Sequence, residues 1–141
     1  RDRQHARQNR NGDRMWIFTP IGFFSIVQKK DDLPGTDGTL TVRSRIKGDL
    51  ESLRKHCGRM SEIDCISGSD YPYRATAPRA EVMGAMANLP HGINYNNFKD
   101  EVSKKQGAER AAVYEQVWET LKYLHLIEAM DERKRSRKKK R

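Results

Sequence analysis

The chain has only two cysteines in 141 residues, Cys57 and Cys65. Two thiols make neither a disulfide framework nor, at this spacing, a tetrahedral zinc site. They are read as reduced, half-buried thiols. Long apolar runs are missing as well. No stretch reaches the ~18 apolar residues of a transmembrane helix, and no apolar h-region marks a secretory signal. The expectation is a cytoplasmic protein without membrane insertion. Absent too are a G-x-S-x-G elbow, a P-loop, H-E-x-x-H and G-x-G-x-x-G. Histidine is sparse: His5, His56, His91 and His125. His56 and Cys57 are chain neighbours, which point ~100° apart on a helix and are poorly placed to act as base and nucleophile. Asp100 and Glu101 fail to converge for the same reason. No metal, no cofactor and no catalytic residue is therefore expected.

What the chain has is charge, 33% of residues, with a net +9 and a mean hydropathy of −0.94. The excess is confined to the ends. Residues 1–14 carry +3, residues 131–141 carry +6, and residues 15–130 are neutral. The sequence pI of about 9.8 therefore says little about the body of the protein. Both ends lack an apolar pattern that could offset the entropy of ordering them. Residues 1–14 are expected to be a disordered basic extension, the domain beginning at Met15. Residues 131–141 are expected to be a disordered polybasic tail of Arg133, Lys134, Arg135, Arg137, Lys138, Lys139, Lys140 and Arg141. Such a run suits nucleic acid, an acidic partner or an anionic surface, or serves only solubility.

Between the ends the patterning resolves into elements. Trp16–Thr19 and Phe23–Gln28 are rich in aromatic and β-branched residues around Pro20-Ile21-Gly22, which predicts a hairpin. Lys30–Gly38 reads as a loop. Thr39–Ile46 alternates, with Leu40, Val42 and Ile46 on one face and Thr41, Arg43 and Arg45 on the other. Leu50, Leu53 and Cys57 share a helical face that ends at Gly58. Glu62–Ile66 and Tyr71–Ala77 read as strands, the second confined by Pro72 to an edge or a strand start. Helices follow over Pro78–Leu89, stopped by Pro90, and over Phe98–Gln106, capped by Asn96 or Asn97. The last runs from Ala108 to about Met130, with Val113, Tyr114, Val117, Trp118, Leu121 and Leu124 on one stripe. Tyr114 and Trp118 are expected in the core and Tyr123 off it. The fold class is α+β, a small antiparallel sheet of about four or five strands with helices packed on one face and a long C-terminal helix. Residues 15–130 are expected to form one domain.

The segment Met15-Trp-Ile-Phe-Thr-Pro-Ile-Gly-Phe-Phe-Ser-Ile-Val-Gln-Lys29 resembles the opening of a group of small uncharacterised bacterial proteins with an M-W-x-F-T…G-F-F-S-V-V segment. Leu40–Arg45, Asp70–Arg74, Asn94–Lys99 and Val113–Trp118 are similar to later segments of that group in the same order. The resemblance covers about residues 15–124. It implies a bacterial, cytosolic, single-domain protein and carries no activity with it.

Three functional readings follow. The first is a non-enzymatic domain whose polybasic tail gives non-specific polyanion affinity. The second is a specific binder of RNA or single-stranded DNA. In that reading Arg43, Arg45 and Arg74 lie on the sheet face away from the helices, with Phe24 and Ile26, or Phe23, as a stacking surface. Against it stands the reading that these are strand arginines paired with carboxylates across the sheet. The third is a small enzyme with a site near Arg74, Asn94 and Tyr95. The 108–130 helix also offers a homodimer surface.

Overall fold

The computed structural model describes residues 14–29 and 38–140. Residues 1–13 of the expected N-terminal extension, most of the Lys30–Gly38 loop and Arg141 lie outside the described residues. The stretch expected as one domain divides into two compact units, one ending at Asn94 and the other beginning at Tyr95.

The first unit is an α+β layer built on five antiparallel strands. They are β1 (Arg14–Thr19), β2 (Gly22–Val27), β3 (Thr39–Ser44), β4 (Asp64–Cys65) and β5 (Tyr73–Pro78). The order across the sheet is β1-β2-β3-β5-β4. The hairpin comes where Pro20 and Gly22 predict it. Thr19 Oγ1 accepts from the Ile21 and Gly22 amides at 3.2 and 3.1 Å and donates to the Gly22 carbonyl at 2.9 Å. This tight turn pairs Phe18 with Phe23 and Trp16 with Ser25. Register continues from Ser25 to Arg43 and from Arg43 to Arg74.

Because strand side chains alternate, that register sorts every residue of the sheet onto one of two faces. One carries Phe24, Ile26, Val42, Ala75 and Ala77. It is covered by α1 (Lys47–Arg54) and α2 (Arg79–His91), which contribute Leu50, Leu53, Val82 and Ala85, with Cys57 just beyond α1. Phe24, Val42 and Leu50 are fully buried, each contributing roughly 1.5–3 kcal/mol. The other face carries Arg14, Trp16, Phe18, Phe23, Ser25, Arg43 and Arg74. Phe24 and Ile26 thus belong to the core, and Phe23 alone of the three named as stacking residues faces away from the helices.

Three strands are shorter at their ends than the sequence expectation, β3 stopping at Ser44, β4 covering only Asp64–Cys65 and β5 beginning at Tyr73, and two helix boundaries differ. The first helix is one turn earlier, Lys47–Arg54 instead of Leu50–Cys57. Leu50 and Leu53 still seat it, and Asp49 is buried near its N-terminus, where a carboxylate complements the helix dipole. The second helix passes through Pro90 to His91. A proline in the last turn removes only one terminal hydrogen bond, and helix ends vary by a residue or two.

The second unit is helical: α3 (Phe98–Gln106), α4 (Ala108–Leu121) and α5 (Tyr123–Lys139). Asn97 Oδ1 caps α3 by accepting from the Asp100 amide at 3.0 Å. Gly107, at φ 95°, makes the α3–α4 turn in a conformation that L side chains avoid. Val102 and Tyr114 are buried, and Tyr114 stacks on Phe98 with ring centroids 6.1 Å apart. Between α4 and α5 only Lys122 interrupts the helix. There the ladder tightens to i→i+3 bonds, Lys122 N–H to Glu119 O and His125 N–H to Lys122 O.

Two expectations change here. Trp118 is half exposed and lies outside the core. The ammonium groups of Lys122 and Lys99 lie over its indole, 4.1 and 5.1 Å from the ring centroid. The helical stripe is wider than α3 can cover, so Tyr114 takes the buried position and Trp118 its rim. The last helix also runs to Lys139, through most of the segment expected to be disordered. Asp131–Lys139 contains no Gly or Pro, lysine and arginine are strong helix formers, and cations near a helix C-terminus complement its dipole.

No helix among the described residues is long and apolar enough to cross a membrane.

Candidate functional site

The sheet face away from α1 and α2 gathers four arginines and four aromatic rings. Alternation in β1 puts Arg14, Trp16 and Phe18 on it, and the β2, β3 and β5 registers add Phe23, Arg43 and Arg74. Arg45 follows β3 directly. The rings gather around Phe23. Phe18 stacks on Phe23 at 4.5 Å, Trp16 meets Phe23 edge-on at 6.2 Å, and Phe23 lies 6.3 Å from Tyr71. Beyond Phe23, the guanidinium carbons of Arg43 and Arg45 lie 4.7 and 5.2 Å from the Tyr71 ring centroid. A ring's negative face attracts cations, so Tyr71 collects two of them.

The arginines are held by neutral groups. Arg43 Nη2 donates to Ser25 Oγ at 2.7 Å. Arg74 Nη2 donates to Ser69 Oγ at 2.7 Å, and its Nε donates to the Tyr71 carbonyl at 3.2 Å. The Arg45 and Arg14 side chains have no hydrogen-bond partner among the described residues, and none of the four arginines makes an ion pair there. Asp64 is the register partner of Arg74 yet forms no ion pair with it. The reading of these residues as arginines paired with carboxylates across the sheet is thus not what the described residues contain. Burial, and then the positive charges of Arg14 and Arg74, press the Arg43 guanidinium below its ordinary value, while Tyr71 acts in the opposite direction. Arg14, Trp16, Arg43, Arg45, Asp70 and Tyr71 line a groove of about 530 Å³. Three cations face one carboxylate in it.

Arg43, Arg45 and Arg74, singled out from the sequence, therefore come together on one side of the sheet. Arg14, Trp16 and Tyr71 were missed. Trp16 already opened the expected first strand, and extending that strand's alternation by two residues would have found Arg14. Tyr71 had no such signal. Simple alternation puts it with Tyr73, on the face opposite Arg74. The strand begins only at Tyr73, and Pro72 frees Tyr71 to turn its ring toward Arg43.

Arg74 is engaged by Ser69 and Tyr71, Asn94 is exposed at the end of the first unit, and Tyr95 belongs to the second.

The cysteines are unbridged, Cys57 buried and Cys65 exposed. Cys57 Sγ lies 3.8 Å from Glu81 Oε2. Burial raises its thiol pKa, and the Glu81 charge raises it further. Glu81 in turn accepts from Arg59 Nε and the Arg59 amide, both at 2.8 Å. Those hydrogen bonds hold its carboxyl below the ordinary carboxylate value. This arrangement ties the loop after α1 to α2 and deactivates the thiol. No group of three or more His, Cys, Asp or Glu residues able to hold a metal occurs among the described residues.

The polybasic residues Arg133, Lys134, Arg135, Arg137, Lys138, Lys139 and Lys140 all lie exposed at the end of the chain's last helix. No protein-family model, no curated protein and no solved structure matches this chain.

Proposed function

We propose that the arginine–aromatic face of the sheet binds single-stranded nucleic acid, RNA or DNA. The observation that carries this reading is the gathering of Arg14, Arg43, Arg45 and Arg74 around Tyr71 without an ion pair among the described residues. Like charges on facing strand positions oppose folding, and a polyanion relieves that repulsion. Trp16, two-thirds exposed, offers a flat ring on which a base stacks, worth about 1–3 kcal/mol per base. The guanidinium groups beside it take the flanking phosphates. Single strands suit such a face better than duplexes, because an unpaired base can turn its ring onto Trp16.

The exposed basic end of α5 favours a second, additive contribution. It attracts any polyanion through charge alone, independently of sequence, and salt weakens it steeply. No reaction is assigned to the protein.

Anisotropy titrations of labelled single- and double-stranded oligonucleotides test the reading. Trp16→Ala should weaken single-strand binding by roughly 5- to 150-fold and leave duplex binding nearly unchanged. Equal losses for both nucleic acids, or no loss, would remove the sheet face from the account.

A further inference from the structure

The helical unit leaves an apolar seam uncovered. On α5, Tyr123 is 64% exposed, Leu126 59% and Met130 57%, and none of this helix's residues is buried. Spacings of three and four put these side chains on one line that begins at Glu119 in α4 and continues to Arg133 and Arg137. Glu119, Tyr123, Leu126, Met130, Arg133 and Arg137 alternate as the a and d positions of a heptad repeat do. Ile127, 55% exposed, flanks the centre of the line. A helix keeps an apolar stripe of this kind to bury it.

Charge along the seam identifies what covers it. The α4 end is acidic and the α5 end is basic. A parallel copy of the same helix would bring the two basic ends together. An antiparallel copy brings each acidic end to the other's basic end. We propose that this seam docks on a second copy of the chain in antiparallel orientation. Antiparallel heptads pair a with d positions, and the register that sets Leu126 against Met130 is self-complementary. It brings Tyr123 opposite Arg133, a cation–π arrangement, and Glu119 opposite Arg137. Both contacts occur twice by symmetry, as in a twofold interface. The seam is about 27 Å long from Glu119 to Arg137. Docking requires Glu119 to leave Lys122, 3.0 Å away. Both side chains of that pair are half exposed, so it costs little to break.

Sedimentation velocity of the full chain from 1 to 200 µM (concentrations of about that range being ordinary for weak dimers) tests this. A monomer–dimer equilibrium is expected. Leu126→Glu should weaken it by at least about 100-fold, by placing a charge in the seam. Met130→Ser should weaken it without adding charge. Glu119→Lys and Arg137→Glu should each weaken it roughly threefold to tenfold, through the two symmetry-related pairs, and the double variant should recover the original dissociation constant. A chain that stays monomeric throughout, or a dimer indifferent to Leu126→Glu and Met130→Ser, overturns the proposal. A double variant no better than the single ones overturns the antiparallel register.

Discussion

Arg43 and Arg74 face each other as direct register partners across β3 and β5. Both keep neutral hydrogen-bond partners instead of carboxylates. Two like charges at facing positions cost stability, and an anion bound between them should return it. A short single-stranded oligonucleotide at about 100 times its dissociation constant should stabilise the protein by about 2.7 kcal/mol, read as a rise in Tm. Arg45→Ser should reduce this rise while leaving the melting temperature of the free protein within about 2 °C, because Arg45 makes no hydrogen bond among the described residues. A free variant that melts much lower would make Arg45 structural.

The hairpin that orders the site depends on a close approach. Asp49 Oδ2 accepts from the Phe23 amide at 3.0 Å, and a Cβ on Gly22 would lie 2.6 Å from the Asp49 Cβ. Gly22→Ala should therefore destabilise by about 1–3 kcal/mol through overpacking. Gly48→Ala, where nothing lies within 4 Å, should be neutral or stabilising by up to about 1 kcal/mol, as expected for a helical glycine. Equal effects in chemical denaturation would contradict the packing described for Gly22.

Cys57 and Cys65 should differ sharply toward a thiol reagent. The Cys57 thiol is buried, its pKa raised by that burial and by Glu81, whereas Cys65 is exposed. Reactivity follows access and the thiolate fraction. One thiol should label rapidly in the native protein and the second only on unfolding. Glu81→Gln should leave this order intact and flatten the acid limb of stability. A carboxyl whose folded pKa is depressed contributes stability above its unfolded pKa, and that stability is lost as pH falls through the folded value.

Trp118→Ala should cost less than about 1.5 kcal/mol, well below the 3–5 kcal/mol of a deleted core tryptophan. Half of the side chain is exposed and its cation contacts are with Lys99 and Lys122. A loss of core size would place the indole deeper than described.

The elements were largely legible because period-two and helical patterns persist through β1–β3 and α2–α4, and because turn residues sit between them. Alternation also put Arg43 and Arg45 on one strand face, whereas Arg74 joins them only through the β3–β5 register. What sequence withheld had physical causes. Tyr71 lies outside its strand, so alternation misassigns its face. Trp118 sits on the apolar stripe, yet only Tyr114 is within cover of α3. Asp131–Lys139 looks like a solvated tail by composition, although its residues are good helix formers following an established helix.

On the proposed reading the sheet face binds single strands independently of the polybasic end. The salt dependence of single-strand binding by a chain lacking residues 131–141, of which residues 131–140 carry no buried side chain, tests this. Binding should persist, with log K falling against log salt at a slope of about −2 to −3, as expected for three or four arginine–phosphate contacts on a single strand. Trp16→Ala should weaken it further. Loss of essentially all affinity on removing residues 131–141, with no further effect of Trp16→Ala, would contradict the account and leave the helix end as the source of binding.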